Sequence, residues 1–258
     1  MQFGICGGPE LAGRAEKAGF DYFEWSVGGF LKPREDEECF NRALEDVRRI
    51  GLPCPAVNVF LPADLKVTGP VVDPAALKAY VATACRRAQA AGVRVIVLGS
   101  GGARRIPDGF DRDQAWDQLL AFSHVLAPLA MTHGVTVAVE PLNVAECNVL
   151  NTVSECARLV RQVNHPAFRL LVDAYHLLRD GDSLEDIVAN RDLLVHIHVA
   201  TLPNRLAPGM EACDQLSAFF KTLARSGYDG RISIEGSLPD TVAGLASSLS
   251  LMKSWFVA

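Results

Sequence analysis

Short apolar and β-branched runs alternate with helical stretches eight times along this chain, and that rhythm restricts the architectures open to it more than any other feature. The runs cover residues 3–6, 22–25, 56–60, 93–98, 136–140, 169–173, 194–199 and 232–235. Most are continuously apolar rather than alternating, as expected of parallel strands covered on both faces. Between them, Asp73-Pro74 reads as an N-cap followed by proline at the first position of a helix that ends near Gly92. Further helices open at Asp113, Thr152 and Ser183, and Gly19, Gly92, Gly134 and Gly227 each stand where a helix must stop before the next strand. No linker-like segment divides the 258 residues, and about 250 is typical of eight βα units closed into a barrel. The expected fold is therefore α/β, a (β/α)8 TIM barrel forming a single domain over residues 1–258. A doubly wound open sheet ranks second, because Cys6-Gly7-Gly8-Pro9 stands where its G-x-G-x-x-G would be.

The charge balance excludes several functions. With 25 Lys plus Arg against 30 Asp plus Glu, a net charge of −5 gives no electrostatic grip on nucleic acid or on an anionic membrane. The longest apolar runs fall far short of the roughly 20 residues of a membrane helix, and the first residues lack the basic flank of a signal peptide. A cytoplasmic protein is expected. Seven cysteines without a C-x-x-C pair read as reduced, mostly buried side chains.

In a barrel of this kind the working residues project from the C-terminal ends of the strands. Runs five to eight end in Glu140-Pro141-Leu142-Asn143, Asp173-Ala174-Tyr175-His176, His196-Ile197-His198-Val199 and Ile234-Glu235-Gly236. Two Glu, one Asp and one His converging on one rim crowd three negative charges, which a divalent cation would neutralise. Oxygen-rich ligation with one imidazole suits Mn²⁺ or Mg²⁺ and admits Co²⁺, Fe²⁺ or Zn²⁺. His196 and His198 point to the same side of their strand, with His198 at the rim and His196 one layer lower. His124, His133 and His165 lie away from the rim.

These motifs, with Asn204-Arg205 beyond the seventh strand, give the chain a resemblance to the xylose isomerase-like TIM-barrel superfamily. The branch it resembles is that of sugar phosphate isomerases and epimerases, including ketose 3-epimerases and inosose-processing enzymes. The resemblance spans nearly the whole chain. It implies one divalent ion of the Mn²⁺ type held by Glu140, Asp173, His198 and Glu235, with Glu146, His176 and Arg205 holding the substrate. Glu146 follows Glu140 by six and Arg205 follows His198 by seven, as in that pattern. One departure is visible: Ala200 and Thr201 follow Val199, where the epimerases carry glycine and glutamate.

A divalent ion chelating a ketone oxygen and the neighbouring hydroxyl would stabilise an enediolate. Glu140 and Glu235, flanking the α-carbon from opposite faces, would remove and return its proton. The expectation is a metal-dependent ketose or keto-sugar epimerase or isomerase acting on a small-molecule sugar. A dehydratase or 3-keto-glycoside lyase using the same site is the second reading, and a non-catalytic sugar-binding or accessory subunit the third. Apurinic endonuclease chemistry is disfavoured, since Asn58, Phe60, Leu98, Gly99 and Asn204-Arg205 occupy the positions of its extra ligands. Three features stay open at this level. The glycine-rich segment 99–105, with Arg104 and Arg105, and the nearby Lys66 would suit an anionic group; Glu24 suits a buried ion pair or a substrate contact; and Trp116, Phe219 and Phe220 suit either barrel packing or a second subunit of a homo-oligomer.

Overall fold

In the computed structural model, which describes residues 1–256, eight strands close into a barrel in chain order. They are β1 (Gln2–Cys6), β2 (Tyr22–Ser26), β3 (Ala56–Asn58), β4 (Val95–Leu98), β5 (Thr136–Val139), β6 (Phe168–Asp173), β7 (Leu194–Val199) and β8 (Arg231–Ile234). Every neighbouring pair is parallel, including the closing pair β1 and β8. The fold is the expected (β/α)8 TIM barrel.

The differences in boundary have local causes. Val59 sits at φ 50, outside the extended region, so the third run leaves the sheet after Asn58. The Val93 N–H is spent on Ala88 O at a helix end, and the fourth strand opens only at Val95. β5 and β8 stop one residue before Glu140 and Glu235, so both glutamates are the first residues past their strands.

Capping follows the sequence closely. Asp73 accepts from the N–H groups of Ala75 and Ala76 at the start of the helix Pro74–Ala91, and Gly92 at φ 75 ends it in the left-handed region that favours glycine. Thr152 caps the helix Val153–Val163. The helix expected at Asp113 is Arg112–Thr132, capped by Asp111 through the Gln114 N–H. Beyond Ser183 the helix is only Glu185–Ala189, with no side-chain cap at Leu184.

Period two in the strands sorts the side chains. Phe23, Val57, Ile96, Val137, Val139, Val172, Ile197, Val199, Ile232 and Ile234 belong to the apolar layer between barrel and helices. Their neighbours Ala56, Val95, Val97, Ala138 and Leu171 form a smaller cluster inside the barrel. Continuing each inward register toward the C-terminal end gives Glu24, Asn58, Gly99, Glu140, Asp173, His198 and Glu235. The alternation that builds the core thus delivers a ring of polar side chains to one rim.

Phe219 and Phe220 are fully buried, Phe219 against Phe220 and Phe220 against Trp255 and Phe256, each stabilising the helical layer by about 2 kcal/mol. Trp116 donates to Gln162 at 2.8 Å and lies under Arg158. Packing within the chain accounts for all three aromatics. All seven cysteines are free, four of them buried. Among the described residues no helix is long and apolar enough to cross a membrane.

Candidate active site

Glu140 leaves β5 beside a glycine whose lack of a side chain makes room for it. A Cβ at Gly99 would lie 2.3 Å from Glu140 Oε2. The glutamate is buried, and its Oε1 is 3.0 Å from His198 Nδ1. From β8, Glu235 Oε2 lies 3.6 Å from the same nitrogen, while its Oε1 accepts from Asn58 Nδ2 at 3.2 Å. Arg205 holds Glu235 twice, through Nε to the backbone carbonyl at 3.2 Å and through Nη2 to Oε2. Arg205 also approaches Asp173 Oδ2 at 3.5 Å and Glu146 Oε1 at 3.4 Å, and its guanidinium lies 4.8 Å over the Tyr175 ring.

Asp173 ends β6 and begins the next helix. Its Oδ1 accepts the Tyr175 N–H at 2.7 Å as an N-cap, and its Oδ2 is buried with no hydrogen-bond partner. His176, one turn on, brings Nε2 to 3.5 Å from that oxygen, and its Nδ1 lies 4.0 Å from Glu146 Oε1. The two sets of residues expected to hold metal and substrate therefore meet at one place. It opens on the side of Glu146, Arg205 and Glu235, which are partly exposed, whereas Asp173, His176 and His198 are sealed.

Below the rim, Glu24 joins the two histidines of β7: Oε1 is 3.0 Å from His198 Nε2 and Oε2 is 2.8 Å from His196 Nε2. Ser233 donates to Oε2 at 2.7 Å and pairs with the Tyr22 hydroxyl at 2.9 Å. Glu24 is thus a buried anchor for two imidazoles, and His196 lies a layer below His198, as its spacing suggests.

The electrostatics follow from burial and neighbours. Burial pushes Asp173 up to about 6 and also raises Glu140, whose hydrogen bond from His198 offsets only part of the cost. Glu235 pays the same burial, but the charges of His198 and Arg205 hold it down at about 2. Burial alone would lower His198; Glu24 and Glu235 overcome it and raise the imidazole well above its usual range.

The arrangement fits a divalent cation. One atom each from Glu140, Asp173, His176 and Glu235 lie within 4.8 Å of one another, and Asp173 Oδ2 is buried without a partner. His198, expected in this group, stands at its edge: Nδ1 is 3.0 Å from Glu140 and 3.6 Å from Glu235, but its own cluster is with Cys6 and Glu24, and His176 is the imidazole that groups with all three carboxylates.

The cations of the glycine-rich segment and its neighbour Lys66 are turned to backbone carbonyls. Arg104 is buried and donates to the backbone carbonyls of Leu98 at 2.9 Å, Glu140 at 2.6 Å and Leu150 at 3.3 Å. Arg105 donates to Ala145 O and Lys66 to Gly102 O. These cations brace loops. His133 pairs with Gln89 and His165 accepts from the Ala167 N–H, both away from the rim. Sequence reasoning left Asn58 and Asn143 without a role; the register of Ala56 two residues earlier was the available signal for Asn58.

Among known proteins, the chain is 31% identical over 129 residues to 3-dehydro-D-guloside 4-epimerase of Escherichia coli (strain K12), covering 50% of this chain and 47% of that one. It is 30% identical over 119 residues to ketose 3-epimerase of Arthrobacter globiformis, covering 46% and 40%. The chain spans about half the length of the curated relatives it matches. Its fold matches the crystal structure of D-psicose 3-epimerase with D-tagatose from Clostridium cellulolyticum H10 with a TM-score of 0.83, at 19% identity, over 99% of each chain. The family model described as xylose isomerase-like TIM barrel matches residues 12–255. A closed eight-stranded barrel, polar side chains gathered at one rim and a match over almost the full length lead to one conclusion: the chain belongs to the xylose isomerase-like TIM barrel family.

Proposed function

We propose that this protein is a divalent-metal-dependent sugar epimerase or isomerase that moves a proton at the carbon beside a ketone, with Glu140 and Glu235 as the acid–base pair. The observation that carries the reading is the approach of these two carboxylates, from β5 and β8, to the single nitrogen His198 Nδ1 at 3.0 and 3.6 Å. Relatives named as epimerases support the reaction class.

Glu140, Asp173, His198 and Glu235 are the proposed ligands, a set that suits Mn²⁺ and accepts Mg²⁺, Co²⁺, Fe²⁺ or Zn²⁺. When bound there, the ion supplies Lewis-acid stabilisation of the negative charge that builds on a carbonyl oxygen as its neighbour loses a proton. The protein's own groups do the rest. One of Glu140 and Glu235 takes the α-proton from one face of the carbon, and the other returns a proton from the opposite face. Removal and return from opposite faces inverts the stereocentre. Arg205 lies against Glu235 and Asp173 and stabilises negative charge on the sugar oxygens. His176 and Glu146 bind neighbouring oxygens of a ketose or keto-sugar.

The test is the pair Glu140→Gln and Glu235→Gln, assayed for solvent-proton exchange into ketoses with bound metal measured in parallel. Each should lose at least about 10²-fold in exchange. Full turnover in either variant would overturn the two-base assignment.

A further inference from the structure

Asn143 is fully buried three residues beyond Glu140, and the chemistry proposed above gives it no part. Its Oδ1 accepts the backbone N–H groups of Ala145 at 3.1 Å and Glu146 at 3.2 Å. Only the carbonyl end of the amide can do that, so the Nδ2 end must face the other way. There it donates to Glu146 Oε1 at 2.9 Å and to His176 Nδ1 at 2.7 Å. The backbone N–H of Asn143 points at the same imidazole nitrogen from 3.3 Å.

Two donors converging on His176 Nδ1 require a lone pair there, so the proton of the neutral ring lies on Nε2. That nitrogen is buried and has no hydrogen-bond partner. It faces Asp173 Oδ2 from 3.5 Å, beyond hydrogen-bond range, and so keeps its N–H available to an incoming group. His176 and His198 thus differ in their surroundings: amide and backbone donors face His176 Nδ1, whereas carboxylates face both nitrogens of His198.

The geometry points to Asn143 as a positioning residue that fixes His176 as a hydrogen-bond donor and Glu146 as an acceptor beside it, the pair reading adjacent oxygens of a polyhydroxy ketone. The identity of those oxygens rests on the function proposed above; the tautomer rests on the hydrogen bonds alone. Carbonyl and hydroxyl oxygens accept from His176 Nε2–H, and a hydroxyl donates to Glu146. A ketose lacking that hydroxyl leaves two polar groups unpaired, which a site of this kind rejects.

The test uses the full chain labelled with ¹⁵N-histidine. Long-range ¹H–¹⁵N spectra of the metal-free protein identify the tautomer of each neutral ring, and the His176 signals are assigned by their loss in His176→Gln. The wild type should show His176 with its proton on Nε2. Asn143→Asp keeps an oxygen for the two backbone N–H groups but replaces the donating amide with a second acceptor. In that variant the proton should appear on Nδ1 and KM for D-psicose should rise at least tenfold; the new carboxylate beside Glu146 lowers the thermal midpoint whichever role Asn143 has, so the tautomer is the deciding readout. A merely structural role for Asn143 would leave the tautomer alone. His176 with its proton on Nδ1 in the wild type would overturn the inference without needing any variant to fold, as would an Asn143→Asp protein with an unchanged tautomer. An Nε2–H tautomer in a wild type that exchanges protons with no sugar would support the positioning role and sink the functional reading instead.

Discussion

Glu24 and His198 meet at 3.0 Å, both fully buried, although β2 and β7 lie on different sides of the barrel and the residues are 174 apart in sequence. The contact turns His198 Nε2 inward and leaves Nδ1 for the rim, where Glu140 and Glu235 converge. Supporting groups of this type typically change metal affinity by about 10- to 100-fold when altered. Glu24→Gln keeps the shape but removes the charge and one acceptor. It should weaken Mn²⁺ binding within that range, measured by chelator competition. Unchanged affinity would show that His198 needs no anchor.

Gly99→Ala places a methyl carbon 2.3 Å from Glu140 Oε2, closer than the carboxylate can tolerate without moving. The expected result is a loss of about 10²-fold in proton exchange, the effect of displacing a reacting group by about 1 Å. Urea unfolding should shift little, because the residue that must move is at the rim rather than in the apolar layer.

Arg104→Met removes the buried donor shared by the carbonyls of Leu98, Glu140 and Leu150, of which Leu98 and Leu150 keep the N–H groups of Glu140 and Leu142. With one carbonyl losing its Arg104 donor outright, a loss of roughly 1–3 kcal/mol is expected in urea unfolding. Arg104→Lys should recover only part of it, since one ammonium cannot span three carbonyls.

Glu37 provides a pH prediction outside the site. Hydrogen bonds from Arg86 and then Arg87 hold its carboxylate down at about 2. A folded value below the unfolded one of 4.5 gives stability that is fully present above pH 4.5 and is lost as the pH falls through about 2. The stability difference between wild type and Glu37→Gln should therefore shrink across that window, as followed by denaturant titration at successive pH values. A difference independent of pH would contradict the pairing.

Most of the barrel is legible in the sequence because the signals are local. Asp73-Pro74 and Gly92 mark both ends of one helix, and the strand runs differ from the observed elements by only a few residues. The rim is legible because strand parity fixes which side each residue faces, so Glu140, Asp173, His198 and Glu235 can be placed together from their positions alone. What stays hidden is long-range. Nothing near Glu24 announces two histidines more than 170 residues away, and nothing in the segment 99–105 shows that its arginines are spent on backbone carbonyls. Asn143 carries a similar ambiguity: the same residue type is an ordinary turn former, and only the placement of Glu146 and His176 around it reveals the division of its amide.

Carbon-acid chemistry at the metal site is read out by deuterium uptake from D₂O. Ketoses, inososes and 3-keto-glycosides are incubated with Mn²⁺-loaded and with chelator-treated protein and analysed by mass spectrometry. Metal-dependent incorporation of one deuterium at the carbon beside the ketone is expected, with the sugar otherwise intact and an epimer or isomer appearing. Tight sugar binding with no incorporation anywhere in the panel would contradict it and make the barrel a binding protein.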